Sequence, residues 1–433
     1  MSYLPCGQVV NSNHFSRELT RYIPGKEYDK MKYDFTSVLD RKGKDALAVD
    51  GIGVLQGAPE APADGFDVIP MWVADMNFPT APCVQEAIIN RVKHPAFGYY
   101  QPSDGFYRSI IRWQERRNRV SGLSPKHIGY ENGVLGGAAS ALRTLCSRGD
   151  SILVHSPTYI GFTSLLKNNG YNIVSSPLYL DEQNIWRMDY EDMESKIKEF
   201  KIHAAVFCSP HNPCGRVWEK EELEAAYEIF RRNDVIVISD EIWSDLTLEG
   251  YTHIPSQSIS EDARNRTVAL YSTSKTFSLA GIVGSYHIIY NNYLRDRILK
   301  ESSLCHYNDM NVLTMHALIG AYSNEGEEWV DELRSVLTEN VRYAVQYIRE
   351  HFPGVNAAVP QGTYMLFADC KEWCLKRGLT LRELEKQMWR VGVACQDGAA
   401  FGGEYSIRMN LALPKSRVEE AMKRLQKYVF TEG

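Results

Sequence analysis

Five short segments, SILVHS (151–156), HAAVFCS (203–209), VIVISDE (235–241), TVALYST (267–273) and SYHIIY (285–290), are apolar almost without interruption. A strand with one wet face alternates apolar and polar residues. A strand apolar throughout is covered on both faces, as in a mostly parallel sheet with helices above and below. The intervening segments fit that arrangement. EKEELEAAYEIFRRN (219–233) places Leu223, Ala226, Tyr227 and Phe230 at three- and four-residue spacing, and DYEDMESKIKEF begins at Asp189, a suitable helix cap. Beyond about residue 310 the pattern changes to long helices, notably 326–352, with short strands near 363–369 and 405–412. The expectation is an α/β fold: an N-terminal arm (1–30), a segment (31–75) joining a smaller domain, a large domain (76–315) and a small α+β domain (316–433). Residues 56–66, rich in Ala, Pro and Gly, read as loop.

Composition narrows the function. Of the 433 residues 44% are hydrophobic and 24% charged, the balance of a globular chain, and the net charge of -6 has no basic tract to attract nucleic acid. Nine scattered cysteines without paired spacing suit a reduced cytoplasm, and Cys370 and Cys374, lacking nearby histidines, read as packing and not as a metal site. The first residues carry no apolar run behind a basic start, and no later stretch reaches membrane-spanning length, so neither export nor a membrane is expected.

Ligands of open parallel sheets bind outside the carboxyl ends of the strands. Polar residues stand at four such ends: Tyr159 after SILVHS, Asn212 after HAAVFCS, Asp240 closing VIVISD, and Ser272, Ser274 and Lys275 closing TVALYS. A glycine-rich turn, HIGYENGVLGGAASALRTL, precedes an Ala-rich helix whose free N–H groups suit a phosphate, although neither a dinucleotide nor a P-loop pattern is present. Taken singly, Asp240 reads equally well as a cap, Asn212 and Tyr159 as turn residues, and Lys275 as a solvent-facing amine. Together they describe something narrower. An amine able to condense with an aldehyde, a carboxylate for a pyridine nitrogen, an amide for a phenolic oxygen, a ring to stack and a helix start for phosphate make a pyridoxal phosphate site. Lys275 is then placed to take the substrate Cα proton.

The combination of NPCG, DE, STSK and a late RMN resembles the fold-type I pyridoxal phosphate enzymes, the aspartate aminotransferase superfamily, from about residue 32 to the end. YDFTSVLDRKG (33–43), IPMWVADMNFPT (69–80) and FGYYQP (97–102) are similar to the bacterial cystathionine β-lyase group of carbon-sulfur lyases. The resemblance implies a large domain with a seven-stranded, mostly parallel sheet. It implies that Lys275 carries the cofactor, Asp240 pairs with its ring nitrogen, Asn212 binds its ring oxygen and Tyr159 stacks on it. Phosphate would be held by the backbone N–H groups of Val134 and Leu135 and the hydroxyls of Ser272 and Ser274. Tyr99 would reach the phosphate of a neighbouring subunit in a homodimer, and Arg408 would grip the α-carboxylate of a small amino-acid substrate.

Two positions depart from the superfamily pattern. Val283 stands where many aminotransferases have a phosphate-binding arginine, and Trp243 where they have tyrosine and the lyases histidine. An indole donates but cannot accept or titrate, so Trp243 either lines the substrate pocket or packs. The leading expectation is β-elimination from cystathionine or a related cysteine S-conjugate, with an aminotransferase as the alternative. A regulator that merely retains the fold is disfavoured, because a binding module has no use for Lys275, Asp240, Asn212 and Arg408 together.

Overall fold

A computed structural model describes residues 31–305 and 308–431; the expected arm at 1–30 lies outside the described residues. The main sheet has eight strands: β1 (Ile128–Glu131), β2 (Ser151–Ser156), β3 (Asn172–Leu180), β4 (Trp186–Met188), β5 (Ala204–Cys208), β6 (Ile236–Asp240), β7 (Thr267–Ser272) and β8 (Ser285–Ile288). Their spatial order is β1-β8-β7-β6-β5-β2-β3-β4. Neighbours from β7 through β3 pair in parallel, whereas β8 runs antiparallel to both β7 and β1, and β4 antiparallel to β3. The expected seven strands are thus extended by one, the three-residue β4. All residues of β5 and β7 are buried, which explains why they read as continuous apolar runs.

Helices cover the sheet as their spacing predicts. In α1 (Val134–Leu145), Gly137 permits close approach to β7: a Cβ there would lie 2.7 Å from Leu270 Cδ2. The carboxylate of Asp189 accepts from the Asp192 N–H at 2.9 Å and caps α2 (Tyr190–Glu199). In α3 (Lys220–Arg232) the expected Leu223, Ala226, Tyr227 and Phe230 are buried, and Glu222 reaches back to the Glu219 N–H at 2.8 Å in a capping box.

The long helix α4 (Asn324–His351) leads into a second, antiparallel sheet of β9 (Asn356–Ala357), β10 (Met365–Asp369), β11 (Gln396–Asp397) and β12 (Ser406–Asn410), ordered β9-β10-β12-β11. Buried Asn340 of α4 donates to the carbonyls of Leu411 and Leu413, fixing the exit of β12 against the helix. Ile69–Pro70 pairs in parallel with Val393–Ala394, which ties the N-terminal segment to this part of the chain. Residues 56–66 carry no helix or strand. Cys370 and Cys374 are buried as packing, and no cluster of metal-binding type occurs among the described residues. No helix among the described residues is long and apolar enough to cross a membrane.

Candidate active site

The strand ends expected to carry chemistry converge where the two sheets meet. Asp240 closes β6, and its neighbour β7 ends in a short helical turn, Thr273–Thr276, that presents Lys275. Phe277, two residues further on, stacks on Trp329 of α4 at 5.5 Å and pins that turn. Lys275 Nζ donates to the Ala74 carbonyl at 2.9 Å and lies 5.9 Å from the centre of the Trp243 ring. Burial pulls this amine down to about 8, with Asp75 and Asp240 opposing and Arg408 assisting.

Asp240 is buried, and its carboxylate accepts from the Ile242 N–H at 3.0 Å. Desolvation pushes it up to about 7, against the pull of that N–H and of Lys275. Nearby His155 and His211 are pushed down by burial to about 4 and about 3, so both stay neutral at physiological pH. Lys275 and Asp240 are therefore the groups at these strand ends that change charge near neutrality.

Arg408 of β12 is 4% exposed and makes no ion pair among the described residues. Its Nη2 donates to the Trp72 carbonyl at 3.0 Å and to Gln396 Oε1 at 2.5 Å, and its Nη1 to Asn212 Oδ1 at 3.5 Å, while Nε is buried without a partner. The guanidinium lies over the Phe401 ring, 4.3 Å from its centre. Burial lowers its pKa to about 10, which still leaves it cationic. A buried cation held by neutral acceptors alone is costly unless an anion joins it.

The Asn212 turn is built around Gly215, at φ +66, where a Cβ would lie 2.6 Å from Pro360 Cβ. Its carbonyl accepts from the N–H groups of Gln361 (2.8 Å) and Gly362 (3.0 Å), joining this turn to the entry of β10. Gly215→Ala combines a left-handed φ with that clash and should lower stability by about 2 kcal/mol or more, read from denaturant midpoints.

Tyr159 is half-buried, its ring folded back over Gly161, where a Cβ would sit 2.3 Å from Tyr159 Cε1. Both Asp240 and Arg408 act on its phenol. Gly133, at φ +82, opens α1, so the first N–H groups, those of Val134 and Leu135, have no intrahelical acceptor. Ser285, the register partner of Ser272, donates to the Glu131 carbonyl at 3.0 Å and so holds the glycine turn beside the end of β7. The Ser272 and Ser274 hydroxyls are 2.8 Å apart.

These features fit pyridoxal phosphate: Asp240 closes no ion pair among the described residues, α1 offers N–H groups to a phosphate, and Lys275 presents an amine at the end of the neighbouring strand. Tyr99 is not brought into this crevice; it is fully exposed, on an exposed stretch from 92 to 99. Val283 is exposed. Trp243 is 2% exposed and packs edge-on against Tyr364 (centroids 4.8 Å), and the Lys275 amine lies over its ring. Sequence reasoning missed Ala74 and Asp75, although the segment containing them stood out as a signature, and Tyr364, which read as an ordinary strand residue.

The family model described as aminotransferase class I and II matches residues 67–425. Cystathionine beta-lyase PatB of Bacillus subtilis (strain 168) is 30% identical over 390 residues, covering 89% of this chain and 97% of that protein. The PLP-bound C-S lyase from Staphylococcus hominis superposes with a TM-score of 0.84 at 27% identity, over 93% of this chain and 99% of that one. Cystalysin from Treponema denticola, which contains a pyridoxal 5'-phosphate cofactor, gives a TM-score of 0.85 at 29% identity, over 92% and 99%.

Proposed function

The chain belongs to the class I and II aminotransferase family, and from that premise we propose that it is a pyridoxal phosphate-dependent carbon-sulfur β-lyase, cleaving cystathionine or a related cysteine S-conjugate to a thiol, pyruvate and ammonia. One observation carries this reading: Asp240 and Arg408 are buried and Lys275 is half-buried, the Lys275 amine acts on the Asp240 carboxyl, Arg408 meets Asn212 at 3.5 Å, and none of the three charged groups closes an ion pair among the described residues. When bound, the cofactor supplies an electron sink for negative charge developing at the substrate Cα.

The chain's own residues supply the rest. Asp240 holds a proton at the heterocyclic nitrogen, which gives its carboxylate the cation it lacks. Asn212 turns Oδ1 to Arg408 and keeps its amide N–H groups to donate to the ring oxygen. Tyr159 covers the ring face, and the α1 N–H groups, with Ser272 and Ser274, hold the phosphate. Arg408 binds the α-carboxylate and so fixes which Cα bond faces Lys275. The Lys275 amine, with a pKa of about 8, takes the Cα proton. Loss of the thiolate from Cβ then needs no second substrate.

Tyr99 and its exposed neighbour Phe97 (54% exposed) form a surface for a second copy, and Tyr99 completes that copy's phosphate site in a homodimer. Seven free cysteines among the described residues suit a cytoplasmic enzyme of amino-acid metabolism.

Purified holoprotein given cystathionine without any 2-oxo acid should release pyruvate and free thiol in equal amounts. Release of neither, with amino transfer once a 2-oxo acid is added, would replace this reading with an aminotransferase.

A further inference from the structure

Thr363 holds φ +65, a conformation sparsely populated by any residue except glycine and poorly suited to a β-branched one. Such strain persists only where the surroundings over-determine it, and it gathers at functional sites. Here the surroundings do. The Thr363 N–H donates to the Leu246 carbonyl at 2.8 Å, and its Oγ1 accepts from the Met365 N–H at 3.0 Å. Preceding Gly362 has no room for a side chain, since a Cβ would lie 2.8 Å from Val217 Cγ2.

The residue this turn aims is Tyr364. Its ring is buried, with its side chain set edge-on to Trp243 at an interplanar angle of 76°, and its carbonyl accepts from the Leu411 N–H at 2.8 Å. Its hydroxyl makes no hydrogen bond among the described residues, unlike the buried hydroxyls of Tyr271 and Tyr286. The charged groups that act on it are Asp75, Arg408 and Arg41; the last two are cations, and burial together with Asp75 raises the phenol, keeping it a donor. Asp75 is already engaged, paired with Arg41 and accepting from the Ser278 hydroxyl at 3.1 Å. Arg408 is therefore the member of this group that still lacks an anion.

We propose that Tyr364 is a further substrate-binding residue, its hydroxyl donating to the α-carboxylate that Arg408 holds, with Trp243 fixing the ring's direction. The inference rests on the amino-acid site proposed above. It gives the strained Thr363 a purpose, since a relaxed turn would aim the phenol elsewhere.

The test is absorbance titration of the holoprotein with L-alanine and with ethylamine, which lacks the carboxylate. Tyr364→Phe keeps the ring against Trp243 and removes only the hydroxyl. It should weaken L-alanine binding by roughly ten-fold or more, as expected for a hydrogen bond to a charged group, and leave ethylamine binding unchanged. Equal weakening of both probes would make the hydroxyl structural and overturn the proposal, as would unchanged L-alanine binding. A wild-type protein whose spectrum responds to neither amine would sink the cofactor reading itself, and this proposal with it.

Discussion

Lys275→Ala lowers kcat for thiol release by about 10²–10⁴-fold for lost proton transfer alone, with cofactor retention falling as well. The prediction follows from position: the Lys275 amine sits at the end of β7 under the Trp243 ring, and burial has brought its pKa to about 8, where it can both accept and return a proton near neutrality. The fold should survive, because the stack of Phe277 on Trp329 does not involve the lysine side chain, and Asp240, which loses the pull of the amine, already sits at about 7 and can take up a proton. Steady-state kinetics beside a thermal melt separate the two effects. Unchanged kcat in the folded variant would assign the proton transfer to another group.

Asp240→Asn should have opposite effects on the cofactor-free and the loaded protein. The folded-state pKa of Asp240 is raised to about 7 from an ordinary 3.8, so between those values the native chain keeps a proton that the unfolded chain has released. Stability from this group is therefore greatest at low pH and declines as pH rises towards 7. Asparagine removes that loss. The cofactor-free variant should exceed wild type by up to about 4 kcal/mol at pH 7.5 and by little at pH 4. Glu385, also raised to about 7 by burial, contributes equally to both proteins and cancels. Lys275, which Asp240 supports, loses that support in the variant, and this offsets part of the gain. The loaded variant should lose activity and bind cofactor more weakly, since an amide cannot hold the ring nitrogen protonated. Urea unfolding at the two pH values checks the first half, and a gain at pH 4 equal to that at pH 7.5 would refute it.

What the amino-acid pattern revealed and what it hid follow from how each element is buried. SILVHS coincides with β2, and the other four runs lie within a residue or two of β5, β6, β7 and β8, because strands covered on both faces leave an unmistakable apolar stretch. β3 escaped notice: it alternates, with Val174, Ser176 and Leu178 inward and polar or exposed residues between them. Its partner β4 is too short to have a pattern. The antiparallel sense of β8 was equally invisible, since local composition does not encode direction. At the site, Lys275, Asp240, Asn212 and Tyr159 were legible as polar residues at strand ends, which is a local property. Arg408 was legible only through resemblance, because its lack of an anion is set by Trp72, Gln396 and Asn212, distant in sequence. Tyr364 and Asp75 were hidden for the same reason, their placement depending on turns tied to Gly215, Leu246 and Ser278.

The most direct measurement is mass spectrometry of the holoprotein after borohydride reduction and proteolysis. A pyridoxyl phosphate mass addition on the peptide bearing Lys275, and on no other, is the predicted result. Its absence, or its appearance on a different lysine, would contradict the assignment of this crevice.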